Sequence, residues 1–129
     1  MIYENKISAI VIDDDPDVAA VFSEYLQINN IEVLGFGHNG KMAVEMYQNL
    51  APDIVFLDLM MPEYDGFYGL EMIKELNPSA KIVMVTADPT EESNRRMKRL
   101  GADQIIYKPF EIDEVLAIIN KLTRCEVAE

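Results

Sequence analysis

Five short β-branched and aliphatic runs recur along this chain: Ile7 to Ile12, Ile31 to Phe36, Ile54 to Leu57, Ile82 to Val85, and Gln104 to Tyr107. They are continuous rather than alternating. A strand with one wet face alternates apolar and polar residues, whereas a continuous run belongs to a strand covered on both faces. Between the runs the apolar period becomes helical. Val18, Phe22, Tyr25 and Leu26 form one stripe; Ala43, Met46, Tyr47 and Leu50 another; Met72, Ile73 and Leu76 a third; Val115, Leu116, Ile119 and Leu122 a fourth. Thr90 to Leu100 also reads as a helix, with a thin apolar face. Strand and helix therefore alternate throughout. The fold class that satisfies this is α/β: a doubly wound, parallel, five-stranded sheet with helices on both faces.

Local punctuation agrees. Asp15-Pro16 reads as an N-cap followed by proline at the first helical position. Asn77-Pro78 ends the third helix and Gly101 the fourth. No repeat, linker or low-complexity segment interrupts the pattern, so residues 1–129 read as one domain with its core at about 6–123. Half the residues are hydrophobic and 26% are charged, a globular rather than a disordered mix. The net charge of −12 disfavours direct nucleic-acid binding, which needs a basic surface. No apolar run is long enough to span a bilayer, and Met1 to Lys6 lacks the layout of a secretory signal, so the expected location is cytoplasmic. Cys125 stands alone and reads as an incidental thiol.

Right-handed crossovers place the C-terminal ends of all five strands on one sheet edge, where such folds bind ligands. The first strand is followed by Asp13, Asp14 and Asp15, the third by Asp58, the fourth by Thr86, and the fifth by Lys108 and Pro109. Carboxylates gathered there repel and raise one another's pKa. A hard divalent cation removes the conflict, and oxygen-only donors suit magnesium rather than zinc. A carboxylate beside a cation and an ammonium can attack a phosphoryl group to give an acyl phosphate. Magnesium and Lys108 would neutralise charge on the phosphoryl oxygens, and the Thr86 hydroxyl can hydrogen-bond them.

Ile12-Asp13-Asp14-Asp15-Pro16, Asp58-Leu59-Met60-Met61-Pro62 with Asp65-Gly66, Val85-Thr86-Ala87 and Lys108-Pro109-Phe110, in that order and each after a strand, resemble the receiver domains of two-component response regulators. The resemblance implies a flavodoxin-like receiver fold with Asp58 as phosphoacceptor. It implies Asp14 as a magnesium ligand, Asp13 as a direct or water-mediated one, and the Met60 carbonyl as another. Lys108 would pair with the phosphoryl group and Thr86 would move toward it. The expected donors are a sensor histidine kinase or a histidine phosphotransfer protein. No output domain follows the last helical pattern, so the expected output is contact with another protein or a phosphorelay step. One position departs from the family: Ile105 stands where an aromatic switch residue is common, and Tyr107 lies immediately before the lysine.

Other features have plainer readings. Asp15 is a helix cap. Gly35-Phe36-Gly37-His38-Asn39-Gly40 spells a dinucleotide fingerprint but follows the wrong strand, so it reads as incidental, with His38 a loop residue. In the basic run Arg95, Arg96, Lys98 and Arg99, the two arginines Arg95 and Arg96 lie four residues after Glu91 and Glu92, as on a salt-bridged exposed helix, with a partner-docking patch as the alternative. Met60, Met61, Met72 and Met84 read as core or loop filler. Two alternatives to a signalling switch exist. A haloacid-dehalogenase-like aspartyl-phosphate phosphatase would need a further acidic pair after the lysine, for which Glu111, Asp113 and Glu114 are the candidates. A non-phosphorylated binding module would not need the acid, lysine and threonine set.

Overall fold

A computed structural model describes residues 6–124; Cys125 and most of the Met1 to Lys6 segment lie outside them. The elements run β1 (Ile7–Ile12), α1 (Pro16–Ile28), β2 (Ile31–Gly37), α2 (Gly40–Leu50), β3 (Ile54–Asp58), α3 (Gly66–Leu76), β4 (Ile82–Thr86), α4 (Glu91–Arg99), β5 (Gln104–Tyr107) and α5 (Ile112–Arg124). All strand pairs are parallel and the order is β2-β1-β3-β4-β5. This is the flavodoxin-like order, with its topological switch point between β1 and β3.

The continuous apolar runs are explained by two cores. Successive strand side chains point to opposite faces. Ala9, Val11, Phe56, Val83, Val85 and Ile106 therefore pack on one face with Phe22, Leu26, Val115 and Ile119 from α1 and α5. Ile10, Ile12, Val55, Leu57 and Met84 pack on the other with Ala43, Leu70, Ile73 and Met97 from α2, α3 and α4. The α5 stripe of Val115, Leu116, Ile119 and Leu122 packs on the core, but α1, α2 and α3 are held by narrower stripes than their apolar residues suggest. Val18, Tyr25, Leu50 and Leu76 were expected in the buried stripes, yet Tyr25 is 50% and Leu76 48% exposed, and Val18 and Leu50 also face outward. Helical spacing places residues on a face, but the width buried depends on how squarely that face meets the sheet. Of the four methionines singled out from sequence, Met61 and Met84 are buried, Met72 is partly buried and Met60 is 63% exposed.

The helix starts are capped as the sequence indicates. Asp15 Oδ1 accepts from the N–H groups of Asp17 and Val18 at 3.0 and 3.4 Å. Asn77 closes α3, while Leu100 caps α4 ahead of Gly101, which has φ +102°. The glycine-spaced segment serves packing: the Gly40 N–H donates to the Tyr64 carbonyl at 2.6 Å, and a Cβ at Gly40 would lie 2.3 Å from the Asp65 carbonyl oxygen. Glycine there lets the start of α2 abut the start of α3.

The basic helix α4 departs from expectation in one respect. Arg95 pairs with Glu91 at 3.6 Å. Arg96 instead lies over the Phe67 ring of α3, 4.0 Å from its centroid. A guanidinium is weakly hydrated and stacks readily on a ring face, so it ties α4 to α3 where apolar contact is scarce. Met97 is the buried residue of α4.

Candidate functional site

Strand order decides which side chains meet. Ile12 lies opposite Leu57 in the β1–β3 ladder, so Asp13 and Asp58 emerge side by side at the switch point. Both are buried, and Asp14 beside them is exposed. One carboxylate oxygen from each of Asp13, Asp14 and Asp58 lies within 4.8 Å of the others. Asp13 is fixed at both ends: its N–H donates to the Gly37 carbonyl at 3.0 Å, and its Oδ1 accepts from the Asp15 N–H at 2.9 Å.

Lys108 reaches this cluster from the far end of the sheet. Its N–H donates to the Thr86 carbonyl at 2.8 Å, which fixes the start of the loop after β5. The following bond to Pro109 is cis. The Lys108 ammonium then lies 3.4 Å from Asp13 Oδ2 and 3.6 Å from Asp58 Oδ2.

Beneath the carboxylates the wall is apolar. A cavity of about 30 Å³ is lined by Asp13, Asp58, Phe22, Phe56, Val85 and Phe110, among others. Phe22 meets Phe56 and Phe110 edge to face, with centroids 5.1 and 5.5 Å apart. Burial against this wall is the largest effect on Asp58 and raises its pKa from 3.8 to about 6. Lys108 opposes the rise, Asp13 and Asp14 add to it, and the Leu59 N–H opposes it. A carboxylate that pays desolvation and repulsion together is one that a cation stabilises. The donor set fits a hard divalent ion such as magnesium: all the donors are oxygen, and among the described residues no histidine or cysteine joins them.

The remaining residues singled out from sequence fall around this centre. Thr86 ends β4 with no exposed surface, and its Oγ1 accepts from the Asp88 N–H at 2.9 Å. Met60 lies in the loop beyond Asp58 with its side chain outward, so a contribution from it is one of the main chain. Ile105 lies opposite Met84 and packs on the core shared with α2, α3 and α4. The Tyr107 hydroxyl accepts from Asn94 Nδ2 of α4. Asp113 and Glu114 occupy the first turn of α5, outside the carboxylate cluster.

The response regulator receiver domain model matches residues 9–120. The chain belongs to that family. It is 36% identical over 112 residues to the chemotaxis protein CheY of Bacillus subtilis, covering 87% of this chain and 93% of that one. Among solved structures it resembles the CheX–CheY–BeF3–magnesium complex from Borrelia burgdorferi, with TM-score 0.85, 25% identity, and coverage of 90% of this chain and 88% of that one. A BeF3-activated DrrB receiver domain gives TM-score 0.82 at 29% identity, covering 93% and 99%. The chain is thus a receiver of two-component signalling, with the five-stranded receiver fold. Among its described residues no helix is long and apolar enough to cross a membrane.

Two receiver positions carry weight that sequence reasoning missed. Gly66 was noted only as part of a motif. A Cβ there would lie 2.4 Å from the Asp58 carbonyl oxygen and 2.7 Å from Leu59 Cα, so α3 can start against the loop after Asp58 only with glycine. Asp65 caps that start, accepting from the Tyr68 N–H at 3.0 Å. Asp88 was not noted at all. Asp88-Pro89-Thr90, with Ser93 beyond, is a turn leading into a capped helix, a signal legible from residue types alone.

Proposed function

We propose that this receiver is a phosphorylation-dependent response regulator that takes a phosphoryl group on Asp58. The donor is the phosphohistidine of a sensor kinase or of a phosphotransfer protein. An Asp58 carboxylate oxygen forms the new bond to phosphorus as the phosphorus–nitrogen bond breaks. The imidazole leaves with the bonding electron pair, its other nitrogen already protonated. Asp13, Asp14, Asp58 and the Met60 carbonyl would hold magnesium, which when bound neutralises charge on the acidic cluster and the phosphoryl oxygens. Lys108 pairs with those oxygens, and Thr86 donates its hydroxyl to one of them once it turns inward.

The observation that carries this reading is the Lys108 ammonium set between Asp13 and Asp58, 3.4 and 3.6 Å away, with Asp14 in the same cluster. Each group has a use in phosphoryl transfer to a carboxylate, and the aromatic wall keeps water from one side of it. The protein turns over no separate substrate: it catalyses its own phosphoryl uptake and loss, works in the cytoplasm, and signals through a partner-binding surface.

The test is intact mass after incubation with acetyl phosphate and magnesium. Addition of one phosphoryl group that is absent in Asp58→Asn supports the reading. Rapid hydrolysis of the donor without accumulation would support the phosphatase alternative. No addition and no hydrolysis would support the non-phosphorylated binding module. Uptake that persists in Asp58→Asn would move the acceptor to Asp13 or Asp14.

A further inference from the structure

Asp88 lies between the residue expected to sense phosphate and the helix expected to move, and its N–H and both carboxylate oxygens are engaged. Its N–H donates to Thr86 Oγ1 at 2.9 Å. Its Oδ1 accepts from the Thr90 N–H at 2.9 Å, and its Oδ2 accepts from the Ser93 hydroxyl at 2.6 Å. Thr90 is itself the N-cap of α4, its Oγ1 accepting from the Ser93 N–H at 3.3 Å. One residue thus grips Thr86 with its main chain and the first turn of α4 with its side chain.

The grip opposes the motion that the proposed phosphorylation requires. The Thr86 hydroxyl accepts from the Asp88 N–H, and the inward turn of the proposed function carries it away from that donor. The loop between β4 and α4 then has to rearrange or leave the Asp88 N–H without its partner. Because the Asp88 carboxylate is bound to Thr90 and Ser93, rearrangement of the loop pulls on α4. That helix is lightly held: Met97 is buried, Arg96 stacks on Phe67, and Asn94 donates to Tyr107. The low pKa of Asp88, caused first by Ser93 and then by Thr90, keeps the carboxylate ionised as an acceptor for both.

We infer that Asp88 is a positioning residue that holds Thr86 in its resting place and transmits displacement of Thr86 to α4. This rests on the reading of Asp58 as phosphoacceptor and adds the resting-state restraint of that site. Freeing the Asp88 side chain from α4 loosens the loop, so Thr86 turns inward at less cost. Asp88→Ala therefore binds a phosphoryl mimic more tightly than the native protein, by roughly three- to tenfold, the equilibrium weight of about one hydrogen bond.

The experiment is calorimetric titration of the native protein, Asp88→Ala, Asp88→Asn and Ser93→Ala with beryllofluoride in excess magnesium, alongside the Thr86 methyl NMR signal without ligand. Asp88→Ala should bind more tightly, with its ligand-free Thr86 signal moved toward the bound position. Ser93→Ala should do the same to a lesser degree. Asp88→Asn, which keeps an oxygen for the Thr90 N–H and can donate its amide N–H to the Ser93 oxygen in place of the native bond from that hydroxyl, should restore native behaviour. Unchanged or weaker binding in folded Asp88→Ala or Ser93→Ala, with the Thr86 signal unmoved, would overturn the inference and leave the phosphoacceptor reading standing. Failure of the native protein to bind the mimic would overturn both.

Discussion

Lys108 Nζ and Asp58 Oδ2 are 3.6 Å apart, although the two residues come from opposite ends of the sheet's β3-β4-β5 half. The ammonium is shared with Asp13 and offsets only part of what burial does to Asp58. Lys108→Met removes that offset. The Asp58 pKa should then rise beyond about 6, as read from its carboxyl carbon in an NMR titration. Uptake from acetyl phosphate should slow by about 10²–10³-fold, the usual scale for losing one preorganised charge partner. An uptake rate within twofold of native would show that Lys108 does not serve the chemistry.

The elevated pKa also makes Asp58 a source of instability. Between pH 3.8 and about 6 the folded protein holds a proton on Asp58 that the unfolded chain has released. Stability therefore falls as pH rises through that window, and the cost is complete above it. Asp58→Asn should be more stable than native at pH 7, on the order of 1–2 kcal/mol after allowance for solvent screening. The gain should shrink through pH 6 and vanish below about 4. Urea denaturation of both proteins across that range measures it, and a gain independent of pH would contradict the assignment.

Magnesium should act on the same penalty from the other side. A ligand that binds only the folded state stabilises it, by about 1.4 kcal/mol at tenfold excess over its Kd. The midpoint of thermal unfolding should rise with magnesium at pH 7.5 and much less at pH 5, where Asp58 is largely protonated in the folded state. Asp14→Ala should remove most of the effect. Equal shifts in native and Asp14→Ala protein would place the ion elsewhere.

Gly66→Ala tests the packing behind Asp58. The added Cβ meets main-chain atoms, at 2.4 and 2.7 Å, which cannot turn aside as a side chain would. A loss of about 1–3 kcal/mol in urea denaturation is expected, in the range for overpacking. Slower phosphoryl uptake should accompany it, because relief of the clash displaces the Asp58 loop. Native stability in this variant would mean the loop yields freely.

The switch itself should run through the main chain. Ile105 is β-branched, packed on the core side of β5, and limited in χ1. Structures with and without beryllofluoride should show residues 86–100 displaced and Ile105 in one rotamer. A rotamer change at Ile105 with that segment still would contradict this.

Much of this protein was legible in its residues alone. Continuous apolar runs mark strands covered on both faces, and Asp15-Pro16 marks a helix start; both depend on neighbours a few positions away. The gathering of Asp13, Asp14, Asp58 and Lys108 at one edge, with Thr86 at the end of β4, was legible for a related reason: in a parallel sheet, residues at the ends of the strands come to the same edge. What only the tertiary structure decided depends on distance across the chain. The exposure of Val18 and Tyr25, the turn of Arg96 from Glu92 to Phe67, and the need for glycine at Gly66 follow from how helices seat on a sheet of order β2-β1-β3-β4-β5. The pKa of Asp58 was set in the same way, because Phe22, Phe56 and Phe110 form its apolar wall only after α1, β3 and the β5–α5 loop have come together. Periodicity and capping are local properties that a sequence carries openly; strand order and helix seating bring remote residues into contact, and burial and charge act through those contacts.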